Sequence, residues 1–253
     1  MKLTKISSTT SSILALLAGA ILTHAQPAAP APALATPLKS LWEASASTGL
    51  TLTRGNSDTL QFTADILAER KWLKNHLELG ADATYGESKG TKNSEATHGF
   101  AQFSRLLSDR AYGFGRADAL HDSVADVEYR LSLSPGAGYH FIQTDRLKLR
   151  AEAGPGFVME HQGAKTTEYA TARFAEMLKF KLTERARLWQ SVEIQPQLDH
   201  LKNFTVKAEL GVEADLTQRW SLRSFVQDNY DHEPAAGRKK NDVRLVTALA
   251  CKF

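Results

Sequence analysis

The sequence predicts an all-β protein, a transmembrane antiparallel up-and-down β-barrel of about twelve strands in the outer membrane of a Gram-negative-type bacterium. Three observations predict it. Apolar and polar residues alternate with period two along most of the chain. A short Ser/Thr–acid–Arg signature, "SDR" at 108–110, "TDR" at 144–146, "TER" at 183–185 and "TQR" at 217–219, recurs every 34 to 39 residues. No apolar stretch after residue 25 approaches the 18 or so residues of a membrane helix.

Residues 1–25 read as a secretory signal: Lys2 and Lys5, a short apolar run at 13–22, and small residues before Ala25. Residues 26–40 form a Pro/Ala-rich periplasmic tether, and 41–253 the barrel. The lone Cys251 excludes an internal disulfide, and a net charge of +3 with interleaved signs does not suggest nucleic acid. A spanning protein without helices must close its sheet, because lipid leaves no partner for a free backbone group.

Alternation is strictest in "FTVKAELGVEADL" (204–216), where seven apolar residues oppose Thr205, Lys207, Glu209, Gly211, Glu213 and Asp215. It predicts strands at 42–53, 59–72, 76–86, 127–141, 147–160, 169–182, 186–198, 204–216, 220–230 and 243–253. Segments 96–107 and 111–121 are also strands, but their two faces differ little in polarity. The recurring triplets are then hairpin turns, in which Ser/Thr and its acidic or amide neighbour supply local hydrogen bonds. The alternate connections "ESKGTKNSE" (87–95), "HQGAKTTE" (161–168) and "HEPAAGRKKND" (232–242) are expected as long loops. Short turns at one end and long loops at the other are outer-membrane architecture.

A soluble sandwich is the rival, but it rarely needs thirteen-residue strands. It also gives no reason for aromatics at both ends of the apolar face: Trp42, Trp72, Phe141, Phe180 and Trp220 toward the short turns, and Tyr85, Tyr129, Phe157, Phe204 and Tyr230 toward the loops. Two such belts suit a lipid-facing girdle. The last strand ends on Phe253, with alternate apolar residues including Cys251, and resembles the signal read by the outer-membrane assembly machinery. The expected partners are therefore outer-membrane lipid and that machinery.

"GLTLTRGNSDTLQF" (49–62) and "YRLSLSPGAGYHFIQTDRLKLRAEAGPG" (129–156) carry a resemblance to the salt-induced outer-membrane protein family, domain of unknown function 481. It extends from about Trp42 to Phe253. The resemblance implies a barrel and a link to salt or osmotic stress, and it brings no catalytic residues.

No G-x-S-x-G, P-loop, H-E-x-x-H or Cys cluster is present, so the expectation is no enzyme and no cofactor. Gly136, Gly138, Gly154 and Gly156 face inward. With the turn centred on Asp145, Pro135 faces Pro155 and Gly136 faces Gly154, which suggests a local bulge. These glycines either relieve curvature or clear lumen space for large side chains or solute.

The lumen charges are the functional candidates. Arg130, Lys148, Arg150, Arg173, Lys179, Lys181 and Arg187 form a basic wall, with Glu43, Asp65, Glu69, Glu78 and Asp82 as an acidic wall roughly opposite. The pattern fits a passive channel for small polar solutes or ions, whose transverse field orients them. The alternative is a non-conducting structural barrel with a salt-bridged lumen. On the loop side His121, His161, His200 and His232 each adjoin an acid, a weak candidate metal rim. No two share a metal-ligand spacing, so the expected reading is solvated loop residues and no metal.

Overall fold

The computed structural model describes residues 42–54, 59–88 and 91–253. The predicted signal, the whole tether and the centre of the "RGNSD" turn lie outside the described residues. Twelve strands follow one another: β1 Glu43–Arg54, β2 Thr59–Trp72, β3 Asn75–Ser88, β4 Thr91–Leu106, β5 Ala111–Asp122 and β6 Val127–Gln143. Then come β7 Leu147–Gln162, β8 Lys165–Lys181, β9 Ala186–Pro196, β10 Phe204–Asp215, β11 Trp220–Asp231 and β12 Asn241–Lys252. Each pairs antiparallel with its chain neighbours, and β1 pairs with β12 from Ser45↔Lys252 to Arg54↔Val243. Closure leaves no sheet edge unpaired among the described residues.

The repeated triplets do close the hairpins. The hydroxyls of Ser108, Thr144 and Thr217 accept from the backbone N–H of Ala111, Leu147 and Trp220, each at 3.0 Å. Thr183 accepts from the Arg185 N–H at 3.2 Å. A short hydroxyl acceptor satisfies a turn donor that the ladder cannot reach. The fifth turn at this end, Leu73–Lys74, is of another kind, with Leu73 at φ 51°.

The polarity of the barrel is inverted relative to a soluble protein. Large apolar side chains such as Leu50, Ile66, Leu133 and Leu210 are more than half exposed on the outer face, whereas the largest fully buried side chains are Thr171, Ser134 and Ser221. Cys251 lies on the outer face, paired with Ala46 and Trp220. The predicted girdle residues also alternate outward; Trp42, Phe141, Trp220, Tyr85 and Phe157 are exposed, and Arg70 stacks on Trp42 and Trp72 at 5.7 and 5.3 Å. Phe204, Tyr230 and His232 cluster at the loop end, Phe204 lying 5.6 Å from Tyr230. The two strands whose faces were ambiguous also resolve. Phe100, Gln102, Tyr112, Phe114, Arg116 and Asp118 lie on the inner face, alternating with Gly and Ala on the outer.

Two expectations are corrected. The segments 87–95 and 161–168 are mostly not loops. β3 and β4 pair out to Ser88↔Thr91, and β7 and β8 out to Gln162↔Lys165. Beyond the lipid both faces of a hairpin meet water, so alternation stops while backbone pairing continues. The proline pair also produces no change of register. Leu133↔Phe157 and Ala137↔Ala153 keep one alignment across it, and the shifts fall instead at Val127/Tyr129 and His140/Ile142.

Candidate functional site

The interior is built from the inward half of each strand, and its charges fall into groups at different heights. At mid-barrel Glu152 of β7 is almost wholly buried. It accepts from Tyr112 Oη at 2.7 Å, Gln102 Nε2 at 2.9 Å and Arg173 Nη1 at 2.9 Å. Arg173 also reaches Glu193 at 2.7 Å and lies over the Phe114 ring at 5.5 Å. The inward glycines make this possible. A Cβ on Gly138 would sit 2.1 Å from the Tyr112 ring, and one on Gly136 2.6 Å from Phe114. The space they clear is filled by two aromatic side chains.

Toward the short turns, Glu213 gathers Arg187 at 2.5 Å, Arg223 at 3.2 Å, Lys252 at 3.4 Å and the Ser221 hydroxyl at 2.6 Å. Asp215 takes Lys252 at 2.5 Å and Arg187 at 3.6 Å. Toward the loops Arg130 holds Glu160 at 2.5 Å and Asp231 at 3.7 Å, with Tyr169 donating to Glu160 at 3.0 Å. On β3–β5, His98 bridges Asp82 at 2.9 Å and Asp118 at 3.2 Å, and Arg116 pairs with Asp118 at 2.7 Å.

The short-turn end opens into a cavity of about 360 Å³ whose lining includes Glu69, Lys71, His76, Glu78, Tyr112, His140, Lys148, Arg150 and Lys179. Here the predicted walls do face each other. Glu69 and Glu78 are direct cross-strand partners on β2 and β3, and Lys148 and Lys179 are direct partners on β7 and β8. One contact crosses between them, Arg150 to Glu78 at 4.0 Å. The rest of the predicted basic wall pairs elsewhere. Arg130, Arg173 and Arg187 take the acids just described, and Lys181 takes Glu184 at its own turn, 2.7 Å away. Of the acidic wall, Asp65 accepts from the Ser47 hydroxyl and lies 3.7 Å from Arg223, Asp82 holds His98, and Glu43 is exposed opposite Glu69.

Glu69, His76 and Glu78 bring three potential ligand atoms within 4.8 Å of one another. Glu69 is already answered, with Lys71 at 2.9 Å and His76 at 3.2 Å, while Glu78 has Arg150 at 4.0 Å. The four rim histidines are not brought together. His121 contacts the Glu128 carbonyl at 2.7 Å, His161 the Thr166 hydroxyl at 2.7 Å, His200 Glu233 at 3.6 Å, and His232 the Tyr230 hydroxyl at 3.0 Å.

Sequence reasoning missed the aromatic half of the interior: Tyr112, Phe114 and Trp189. Trp189 projects inward over Gly211, where an added Cβ would meet its ring at 2.3 Å, and donates to Glu209. The available signal was the pairing of each aromatic with a glycine directly across the ladder: Tyr112↔Gly138, Phe114↔Gly136 and Trp189↔Gly211.

Comparison with known proteins adds three findings. The family model described as "Protein of unknown function, DUF481" matches residues 46–253. The uncharacterized protein YdiY of Escherichia coli (strain K12) is 24% identical over 216 residues, covering 83% of this chain and 82% of YdiY. Among solved structures, the NanC porin superposes with a TM-score of 0.58 at 7% identity, covering 82% of this chain and 100% of that one. The translocator domain of the autotransporter NalP from Neisseria meningitidis gives 0.51 at 12% identity, covering 86% and 90%. These two likenesses are likenesses of fold, a closed antiparallel barrel of the outer-membrane kind.

Proposed function

We propose that this chain, which belongs to the DUF481 family, is a passive outer-membrane channel for small polar solutes or ions. One observation carries the reading. The short-turn mouth holds an open, charge-lined cavity in which lysines of β7 and β8 face carboxylates of β2 and β3. Such a field orients polar solutes and disfavours apolar ones. In this orientation the short turns and both ends of the mature chain face the periplasm. No chemical step is assigned to any residue. Salt or osmotic stress, implied by the family resemblance, is the proposed physiological setting.

The second reading, a non-conducting structural barrel, is favoured by the packed Glu152–Arg173–Tyr112 group at mid-barrel. Planar-bilayer recording of the purified protein separates the two. The channel should give steady ohmic steps, and Lys148→Glu with Lys179→Glu should move its ion selectivity toward cations several-fold. A folded barrel without conductance would overturn the channel.

Assembly is proposed to depend on the C-terminal strand. Phe253 is exposed at the end of the β1–β12 seam, and its backbone N–H bonds the Ala44 carbonyl at 2.9 Å. Deleting Phe253 should lower the amount of heat-modifiable, membrane-inserted protein several-fold, while deleting 26–37 should leave it near normal. Normal insertion of the Phe253 truncation would count against this role.

A further inference from the structure

We infer that the cavity at the short-turn mouth is a binding site for small organic anions, centred on Lys148, Arg150 and Lys179. Lys148 and Lys179 occupy directly opposed positions on the inner face of β7 and β8, and like charges directly opposed across a ladder are destabilising. Other inward cations are neutralised, as with Arg173 between Glu152 and Glu193 and Arg187 on Glu213. At this pair no such contact forms: among the described residues neither lysine has a carboxylate within 4.0 Å, and Lys179 is coupled to Glu69 and Glu78 only at longer range.

Arg150, two residues from Lys148 on the same face, is also weakly matched. Its Nη2 donates to the Met177 sulfur at 2.9 Å, a weak acceptor, and lies 4.0 Å from Glu78. Counting the whole lining, five cationic side chains stand against two carboxylates, and Lys71 already answers Glu69. The cavity therefore carries an excess of positive charge, which the two carboxylates, coupled to Lys179 only at longer range, do not balance. A volume of about 360 Å³ suits a molecule of a few carbons bearing carboxylates. Neutral hydrogen-bonding groups line it too, among them Ser104 and Gln143, so a hydroxylated anion would find donors beside the cations. The same positive excess disfavours a divalent cation at Glu69, His76 and Glu78, where Lys71 and His76 already contact Glu69.

The inference deepens the channel reading by naming the class of solute, but binding can be measured without conduction. Citrate is titrated calorimetrically into the full mature protein in neutral detergent, with glycerol and spermidine as neutral and cationic controls. Citrate should bind saturably and glycerol and spermidine should not, and the citrate affinity should fall with added salt. Lys148→Gln with Lys179→Gln should weaken citrate at least tenfold. Lys148→Arg with Lys179→Arg, which keeps the charge, should retain it. Because neither lysine holds an ion pair, both variants should fold, and heat-modifiable migration on gels checks this. No citrate binding, or equal binding by the Gln variant, overturns the site. Saturable binding by a barrel silent in bilayers would uphold the site and sink the channel. Steady conductance without binding would sink the site alone.

Discussion

Glu152→Ala should be the most damaging single substitution in the barrel, lowering unfolding stability in urea by about 3–5 kcal/mol. Its carboxylate is nearly inaccessible and accepts three hydrogen bonds, from Tyr112, Gln102 and Arg173. Removal strands a buried guanidinium with Glu193, leaves a phenol without its acceptor, and leaves the Gln102 amide with Ser104 at 3.5 Å. Truncating one partner of a buried pair exposes the other charge's desolvation cost, which replacing both partners largely avoids. Glu152→Leu combined with Arg173→Met should therefore cost less than Glu152→Ala alone. Equilibrium unfolding of the set in lipid or detergent checks this. A Glu152→Ala loss below about 1 kcal/mol would show that water or a neighbour replaces the carboxylate.

Gly154→Val should be nearly as severe, for a steric reason. A Cβ at this position would lie 2.1 Å from the Pro135 carbonyl oxygen and 2.7 Å from the Gly136 Cα. Both are backbone, in a hairpin whose alignment is held on either side by Leu133↔Phe157 and Ala137↔Ala153. The strands can only separate, with a cost of about 3 kcal/mol and impaired assembly. Gly115→Ala is the control. Gly115 faces outward with nothing within 4 Å of an added Cβ, and should change stability by less than about 0.5 kcal/mol. Equal effects of the two substitutions would remove close backbone approach as the reason for glycine at 154.

The strands were legible because lipid outside and polar groups inside impose period two, so a dozen segments could be bounded to within a few residues. β4 and β5 resisted for the same physical reason inverted. Their outer face is mostly small, with Gly99, Ala101, Gly113, Gly115, Ala117 and Ala119 beside Phe103, while Phe100, Tyr112 and Phe114 turn inward, so the two faces have similar hydrophobicity. The aqueous extensions of β3–β4 and β7–β8 were illegible because alternation reports lipid, not hydrogen bonding. For the candidate site, parity correctly sends Lys148, Lys179, Glu69 and Glu78 inward. It cannot say that Arg173 meets Glu152 on the adjacent strand while Lys148 meets no acid, since that depends on stagger and tilt. The loop histidines teach the same lesson, since sharing one rim does not bring His121 and His200 into contact.

The seam between β1 and β12 has a kinetic consequence. Ser45 and Lys252 pair across about 200 residues of chain, and the remaining seam contacts are nearly as distant in sequence. These contacts cannot form until the last strand has been made, so during synthesis and transit the edge of β1 that will face β12 waits without its mate. An unpaired strand of that length is a template on which another nascent chain can add. The chain is therefore most prone to aggregate before its final strand arrives, and its yield should depend on how quickly the first strand is shielded rather than on the stability of the finished cylinder.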